Sequence, residues 1–278
     1  SLFARTDPAD LEGSLRGLLE AIRPILQAAR ERDVLINFDM EQYALKDLTL
    51  ELFERCCEET GFPAGLALQA YLCSGEEDAR RIIAWARRTG RVVTVRLIKG
   101  AYWDYEVIHA EKMGWPAPVW TDKRQTDACF ERMAELFVAS MPRRAGEGGV
   151  KLAIGTHNVR SIARTLALLA ERDLPESAVE VQMLYGMADQ LKSAVLHRGL
   201  RLREYVPIGQ MLPGMAYLVR RLLENTSNQS WRRAGFFDHA SDEALLASPH
   251  AAASPHHAAP PAIAAAPERH QLTPAVEG

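Results

Sequence analysis

The chain has 278 residues, of which 47% are apolar and 25% charged, and its formal net charge is −3. This length allows one large domain or two small ones, and the charge excludes a basic surface for nucleic acid. No apolar run reaches the ~18 residues that a membrane-spanning helix needs, and the first residues lack a signal-peptide pattern. The spacing of Cys56, Cys57, Cys73 and Cys129 predicts neither a metal site nor disulfides, so we expect free thiols in a reducing cytosol.

Helical and strand patterns alternate from residue 1 to about residue 225. An apolar stripe from Leu11 to Ala29 predicts the first helix, with Asp7 as its N-cap, Pro8 in its first turn and a kink at Pro24. Further helices are predicted at about 42–60, 127–139, 158–171 and 214–225. Another begins at a Ser74–Glu77 capping box and ends before Gly90, and one more ends at His197. Strands are predicted at 34–39, 66–72, the first half of 92–104, 150–155, 179–184 and 202–209.

This alternation predicts an α/β fold whose strands pair in parallel through right-handed crossovers. The stretch from Val92 to Asp104 is the most informative. It begins as a strand buried on both faces, yet Arg96 lies inside it, Lys99 closes it and Gly100 allows a close approach to a ligand. In parallel α/β folds, strand ends of this kind carry functional sites. The alternative, equally favoured by this stretch alone, is an ordinary strand end with a solvated arginine.

Polar side chains lie within or just after several of the predicted strands. In a barrel the carboxyl ends of the strands share one face, so these side chains would converge there. Taken singly, Asp39 could cap a helix, Gln69 and Gln182 could be satisfied core amides, and His157 could be a structural histidine. The full set is Asp39, Gln69, Arg96, Lys99, Thr156, His157, Asn158, Gln182 and Tyr205.

The last predicted helix contains an unusual pair of arginines. Arg220 and Arg221 stand between Leu218, Val219, Leu222 and Leu223. Guanidinium groups beside apolar surface favour a carboxylate or phosphate partner, although a snorkelling surface pair is the alternative.

The composition changes from about residue 240. The remaining chain is rich in Ala, Pro, Ser and His and has no aromatic residue after Phe237. It cannot bury a core, so we expect 240–278 to be a linker or disordered tail rather than a metal site, although it holds His250, His256, His257 and His270.

Several segments together resemble proline dehydrogenase, and most closely the flavin domain of the bacterial bifunctional proline utilisation proteins. They keep a consistent order over about residues 1–235, and their combination is more specific than any one of them. They are Ile-Asn-Phe-Asp at 36–39, Gln-Ala-Tyr at 69–71, Arg-Leu-Ile-Lys-Gly-Ala-Tyr-Trp-Asp at 96–104, Thr-His-Asn at 156–158, Glu-Tyr-Val-Pro-Ile-Gly at 204–209 and Tyr-Leu-Val-Arg-Arg-Leu-Leu-Glu-Asn at 217–225.

The resemblance implies a distorted TIM-like (βα)8 barrel that oxidises L-proline to Δ1-pyrroline-5-carboxylate, the first step of proline catabolism to glutamate, with FAD at the carboxyl ends of its strands. It places Arg220 and Arg221 on the carboxylate of proline and Tyr205 and Leu184 against its ring, with Ala101 and Tyr102 nearby. It places Asp39 at the floor of the site. The catalytic set that it implies is Asp39, Arg96, Tyr205, Arg220 and Arg221.

The same resemblance implies a large FAD site and no metal. Arg96 would lie near flavin N5, where a cation stabilises the reduced flavin. Gln69 and Gln182 would lie near the isoalloxazine ring. The rest of the site would be formed by Ile98, Lys99, Gly100, Trp103, Thr121, Lys123, Thr126, Thr156, His157, Asn158, Glu224, Ser230 and Trp231.

The chain also departs from the family pattern. The family barrel has two strands ahead of the one predicted at 34–39, and the second carries an active-site lysine. Six strands cannot close an eight-stranded barrel. We therefore expect 1–235 to form an N-terminally incomplete barrel, whose activity by itself is uncertain, followed by the tail at 240–278.

The resemblance also suggests partners and a location. It points to a quinone as electron acceptor, a cytoplasmic protein with peripheral contact at the inner face of the membrane, and an aldehyde dehydrogenase domain downstream in the parent protein. Two other hypotheses stay open: a non-catalytic barrel fragment that needs a partner segment, and another barrel enzyme that binds a carboxylate or phosphate through the Arg pair. Visible flavin absorbance of the purified chain would distinguish a proline dehydrogenase from both of these alternatives.

Overall fold

The computed structural model describes residues 6–210, 241–250 and the single residues 214, 215 and 219. Within them, one six-stranded sheet follows the order of the chain, and every neighbouring pair of strands is parallel. It curls into half of a TIM-like barrel, which confirms the predicted α/β class and the six parallel strands. The strands are β1 (Ile36–Phe38), β2 (Ala64–Gln69), β3 (Val92–Ile98), β4 (Gly149–Gly155), β5 (Val179–Leu184) and β6 (Arg201–Tyr205).

Helices alternate with these strands along the chain. The helices are α1 (Leu11–Glu31), α2 (Lys46–Thr60), α3 (Gly75–Thr89), α4 (Trp103–Met113), α5 (Lys123–Ala139), α6 (Val159–Ala170), α7 (Asp189–His197) and the short α8 (Asp242–Leu245). Of these, α3, α5 and α7 contact the sheet directly. Two 3-10 turns, Tyr43–Leu45 and Glu176–Ala178, precede α2 and β5. In the part of the chain that the structure describes, no helix is both long and apolar enough to cross a membrane.

The start of α1 differs from the prediction. Asp10 is the N-cap, because its carboxylate accepts the backbone N–H of Gly13 at 3.0 Å. Asp7 instead accepts the N–H of Ala9 at 2.9 Å and so caps the turn that precedes the helix. Pro24 lies inside α1, as predicted.

The predicted capping box of α3 is wrong. Ser74 occupies the N-cap position, but its hydroxyl donates to Asp78 Oδ2 at 3.0 Å instead of accepting a backbone N–H. Asp78 also accepts from Lys46 Nζ at 2.6 Å, and both side chains are buried. This ion pair joins the starts of α2 and α3, and it competes with the cap for the Ser74 side chain.

Strand β3 is buried on one face only, contrary to the prediction. Val93, Val95 and Leu97 are fully covered by the helices, whereas Thr94, Arg96 and Ile98 are half-buried on the inner face. An alternating pattern arises because the inner face of the half-barrel borders a pocket. The β-branched run could not reveal this, since both faces carry apolar residues.

The ends of three elements also differ. Strand β2 stops at Gln69, and Leu72 instead forms an isolated antiparallel bridge with Val119. Strand β6 stops at Tyr205 rather than residue 209. Helix α4 lies where the prediction placed only a connection.

The core lies between the sheet and the helices. Phe53, Trp85, Phe130 and Phe137 are almost fully buried there against strand residues such as Leu66. Cys56, Cys57 and Cys129 are buried free thiols, and Cys73 is a half-buried one. Burial raises the pKa of Cys56 and Cys57 to about 12 and that of Cys129 to about 11, so these thiols stay protonated.

The described part of the predicted tail contacts the barrel. Arg160, in the first turn of α6, donates to the carbonyl oxygen of Leu246, and His250 Nε2 lies 3.2 Å from Glu131 on α5. The predicted helix at 214–225 falls largely outside the described residues.

Candidate functional site

A pocket of about 330 Å3 opens at the carboxyl ends of the strands. Seven of the nine polar side chains predicted to converge line it: Asp39, Arg96, Lys99, Thr156, His157, Gln182 and Tyr205. The other lining residues are Met40, Glu41, Ile98, Gly100, Ala101, Tyr102, Gly155, Met183 and Leu184. The parallel sheet brings residues more than 160 positions apart in the sequence to one edge.

Arg96 and Asp39 form an ion pair in this pocket. The side chain of Arg96 is 16% exposed and that of Asp39 is 52% exposed. Burial lowers the pKa of Arg96, although the guanidinium remains charged. Asn37 Nδ2 donates to Asp39 Oδ1 at 3.1 Å, the same carboxylate oxygen that Arg96 contacts.

Gln69 supports the pocket from behind. Its Nε2 donates to the carbonyl oxygens of Met40 and Glu41, each at 3.2 Å, and both of these residues line the pocket. Its buried Oε1 has no hydrogen-bond partner among the described residues. The side chain is therefore only half satisfied, which distinguishes it from an ordinary core amide.

Lys99 and Lys123 share one carboxylate. Lys99 Nζ donates to Asp127 Oδ1, and Lys123 Nζ donates to Asp127 Oδ2 at 2.8 Å. Lys99 Nζ also lies 5.8 Å from the ring centroid of Phe130. Burial lowers the pKa of Lys99 against the attraction of Asp127. Burial alone would raise the pKa of Asp127, but the two lysines outweigh it and lower that pKa.

Two glycines allow close packing beside the pocket. Gly100 has a φ of +130°, a backbone conformation that residues with a side chain rarely adopt. A Cβ at this position would also overlap the ring of Tyr71. A Cβ at Gly155 would lie 2.6 Å from Ile98 Cγ2, inside van der Waals contact. Both positions therefore require glycine if the wall is to keep its shape.

The Thr-His-Asn segment after β4 forms a tight local network. Thr156 Oγ1 accepts the backbone N–H of Asn158 at 3.1 Å. Asn158 Oδ1 accepts the N–H of Ser161 at 3.2 Å, so Asn158 is the N-cap of α6. His157 Nε2 accepts the backbone N–H of Leu184 at 3.2 Å. This bond ties the ends of β4 and β5 together, and it requires Nε2 to be unprotonated.

A carboxylate that the sequence analysis did not select lies on β5. Glu180 accepts two hydrogen bonds from Arg203, at 2.7 and 3.1 Å, and one from Gln182 Nε2 at 2.6 Å. Burial would raise the pKa of Glu180, but Arg203 and Gln182 lower it overall. Its position could have revealed it, because Glu180 lies two residues before Gln182 and residues two apart on a strand share a face. Glu180 therefore orients Gln182 at the pocket.

Several other predicted site residues do not line the pocket. Trp103 begins α4 and its Nε1 donates to the carbonyl oxygen of Trp120 at 2.8 Å. Thr126 is buried in the first turn of α5, and Thr121 is exposed before it. Neither these three nor Lys123 and Asn158 line the pocket itself. The described residues do not include five others predicted for the site: Arg220, Arg221, Glu224, Ser230 and Trp231.

Metal ligands do not gather among the residues that the structure describes. No group of three or more His, Cys, Asp or Glu side chains there is placed to hold an ion. The chemistry available at the pocket is instead that of cations, amides and a histidine acceptor.

The chain is similar to known proteins over most of its length. Residues 4–234 match the family described as "Proline dehydrogenase", which is more than half of the chain, so the chain belongs to that family. It is 33% identical over 245 residues to "Bifunctional protein PutA" of Rhizobium meliloti, covering 84% of this chain and 19% of that protein. It is 32% identical over 213 residues to "Proline dehydrogenase 1" of Bacillus subtilis strain 168, covering 77% of this chain and 62% of that protein.

Solved structures share the fold. The crystal structure of proline utilization A (PutA) from Bdellovibrio bacteriovorus inactivated by N-propargylglycine matches with a TM-score of 0.84 and 41% identity, over 90% of this chain and 26% of that chain. A Bradyrhizobium japonicum PutA structure matches with a TM-score of 0.79 and 30% identity. The chain thus spans less than two thirds of these relatives.

Proposed function

We propose that this chain is the catalytic part of an FAD-dependent proline dehydrogenase, which oxidises L-proline to Δ1-pyrroline-5-carboxylate. The observation that carries the proposal is the Arg96–Asp39 ion pair in a pocket at the strand ends of a proline dehydrogenase family member. A fixed guanidinium there offers positive charge where an electron acceptor becomes negative.

Three features in the pocket wall and directly behind it fit FAD. The buried Oε1 of Gln69 is an acceptor without a partner, and an isoalloxazine ring carries an N–H donor. Arg96 and Lys99 supply positive charge for an anionic cofactor. Gly100 and Gly155 leave no side chain projecting from the pocket wall, so a flat ring could approach the backbone there. Arg96, Lys99, Gln69 and Gln182 would hold the cofactor, and Ile98, Gly100, Thr156 and His157 would line its site.

When bound, FAD would supply the redox chemistry that removes a hydride equivalent from the carbon next to the proline nitrogen. The chain supplies orientation. Tyr205 and Leu184, with Ala101 and Tyr102, offer apolar surface for the pyrrolidine ring. Arg220 and Arg221 would bind the substrate carboxylate, a proposal that rests on the sequence alone.

The likeness to bifunctional PutA proteins supports two further parts of the proposal. The parent protein would carry an aldehyde dehydrogenase domain downstream of residues 240–278, which would serve as the linker. A quinone would take the electrons, with peripheral contact at the inner membrane face and a cytoplasmic location. The bifunctional relatives support the downstream domain, whereas the quinone, the membrane contact and the location rest on the sequence resemblance alone.

A product assay tests the proposal. The purified chain, supplied with FAD and an artificial electron acceptor, is incubated with L-proline, and Δ1-pyrroline-5-carboxylate is trapped with o-aminobenzaldehyde. Product from L-proline, and none from D-proline, is the expected result. A chain that binds FAD but forms no product would favour the alternative of a non-catalytic fragment. A chain that binds phosphate or another carboxylate but no flavin would favour the other barrel enzyme.

A further inference from the structure

Asp127, on α5, is the carboxylate that Lys99 of the pocket and Lys123 beside it both contact. Its two oxygens are divided between them, with Oδ1 accepting from Lys99 and Oδ2 from Lys123. Lys99 follows β3 and lines the pocket, whereas Lys123 is the first residue of α5. Asp127 thereby fixes the end of a strand to the beginning of a helix.

The charges of this cluster do not balance. Two ammonium groups share one carboxylate, and among the described residues neither lysine has a second carboxylate within ion-pair distance. Glu131, one turn further along α5, is engaged by Arg160 at 2.8 Å. One positive charge therefore remains beside the pocket, at the N-terminal end of a long helix whose dipole also favours an anion.

We propose that Asp127 is a positioning residue that holds Lys99 and Lys123 so that both ammonium groups face an anionic oxygen of the cofactor. The inference rests on the proposed function, because the anion is taken to belong to FAD. Two sources share this chemistry: the diphosphate of FAD, and the ring oxygen and nitrogen that become negative when the flavin is reduced.

Positioning and simple charge have opposite consequences for Asp127→Asn. The substitution removes a negative charge, so an effect through the electrostatic field alone would strengthen binding of an anion. If Asp127 acts by ordering the two flexible side chains, FAD binds more weakly, because each lysine must then be ordered when the cofactor binds. We expect the Kd for FAD to rise roughly tenfold. Asp127→Glu keeps the two contacts and restores part of the affinity.

A matched control lies on α3. Glu76 also bridges two cations, since it accepts from Arg132 Nε at 2.5 Å and from Arg80 at 3.2 Å, and it does not line the pocket. Glu76→Gln removes a bridging carboxylate of similar exposure, 26% against 19% for Asp127. We expect its Kd for FAD to stay within about twofold of the unsubstituted chain.

The experiment measures the Kd of FAD and of riboflavin, each in the oxidised and the reduced state. It compares the unsubstituted chain with Asp127→Asn, Asp127→Glu and Glu76→Gln. It also includes Lys99→Met and the double variant that combines Lys99→Met with Asp127→Asn. Weaker FAD binding in Asp127→Asn that disappears in the Lys99→Met background supports positioning through Lys99. A loss for FAD and not riboflavin assigns the anion to the diphosphate. A loss for both ligands that is larger in the reduced state assigns it to the ring.

Unchanged or tighter binding in Asp127→Asn overturns the inference, as does an equal loss in Glu76→Gln. If the unsubstituted chain binds no FAD, the proposed function fails, and acylation of the apoprotein with acetic anhydride tests Asp127 alone. Lys99 and Lys123 should then react faster in Asp127→Asn than in the unsubstituted chain. Equal reaction rates would overturn the positioning role.

Discussion

The carboxylate of Asp39 contacts the guanidinium of Arg96 across strand β2. Asp39 follows β1 and Arg96 lies in β3, so the ion pair reaches over the strand between them. Arg96 is the more buried partner, at 16% exposure against 52%. The pair therefore fixes the one charged side chain of β3 at the mouth of the pocket, where its position decides what the cation can stabilise.

Replacing Asp39 by Asn should slow the reduction of the bound flavin by proline. The substitution loosens the hold on the Arg96 guanidinium. Because Asp39 is half-exposed, the contact is worth about 1 kcal/mol, so we expect a rate roughly fivefold lower in stopped-flow measurements. Asn37→Ala removes only the neutral donor to Asp39 and should cost less. Equal rates in Asp39→Asn and the unsubstituted chain would show that the ion pair has no role in catalysis.

His157 should act as a hydrogen-bond acceptor and not as a charged group. Its Nε2 accepts the backbone N–H of Leu184, a residue proposed to contact the proline ring. His157→Gln offers an amide oxygen in its place, whereas His157→Ala offers none. We expect KM for proline to rise in His157→Ala more than in His157→Gln. A larger defect in His157→Gln would point instead to a need for the imidazole itself.

Arg221→Met should raise KM for proline and weaken carboxylate inhibitors. The loss of a charged contact to the substrate carboxylate corresponds to a change of roughly ten- to hundredfold. The FAD content should change less. Arg88→Met, at the exposed end of α3, is the control and should leave both quantities unchanged. Normal proline kinetics in Arg221→Met would remove the Arg pair from the site.

The lowered pKa of Asp127 predicts a pH dependence of stability. A carboxylate whose pKa is lower in the folded state contributes stability above its unfolded pKa of about 3.9. This contribution is lost as pH falls further, through the folded pKa. Urea unfolding of the chain and of Asp127→Asn should therefore differ most near neutral pH, and the difference should shrink only as pH falls below about 4 toward the lowered pKa of Asp127. A difference that stays constant down to acid pH would contradict the assigned ionisation.

The sequence predicted the fold and most of the pocket because strand ends are marked locally. Arg96 inside an apolar run and Thr-His-Asn after another show where strands end, and parallel pairing brings those ends together. Seven of nine such side chains do line the pocket. Gln69 and Asn158 stand behind it, as a support of the wall and a helix cap. These two roles depend on which neighbours the fold supplies.

The residues that sequence reasoning missed act through contacts between distant elements. Asp127 looks like any acidic residue near the beginning of a helix, and its role appears only when Lys99 of β3 lies against it. Glu180 reads as a charge in a strand until Arg203 of the next strand pairs with it. Glu106 on α4 accepts the backbone N–H of Tyr43 at 2.7 Å, and no pattern marked α4 as a helix.

The most direct test of the proposed activity is an anaerobic titration of the FAD-loaded chain with L-proline while the visible flavin absorbance is recorded. We expect L-proline to bleach this band and D-proline to leave it unchanged. We expect Arg96→Met to be reduced far more slowly although it still binds the cofactor. A flavin-loaded chain whose absorbance is unchanged by excess L-proline would contradict the proposed activity. A chain that takes up no flavin at all would contradict the proposed cofactor site.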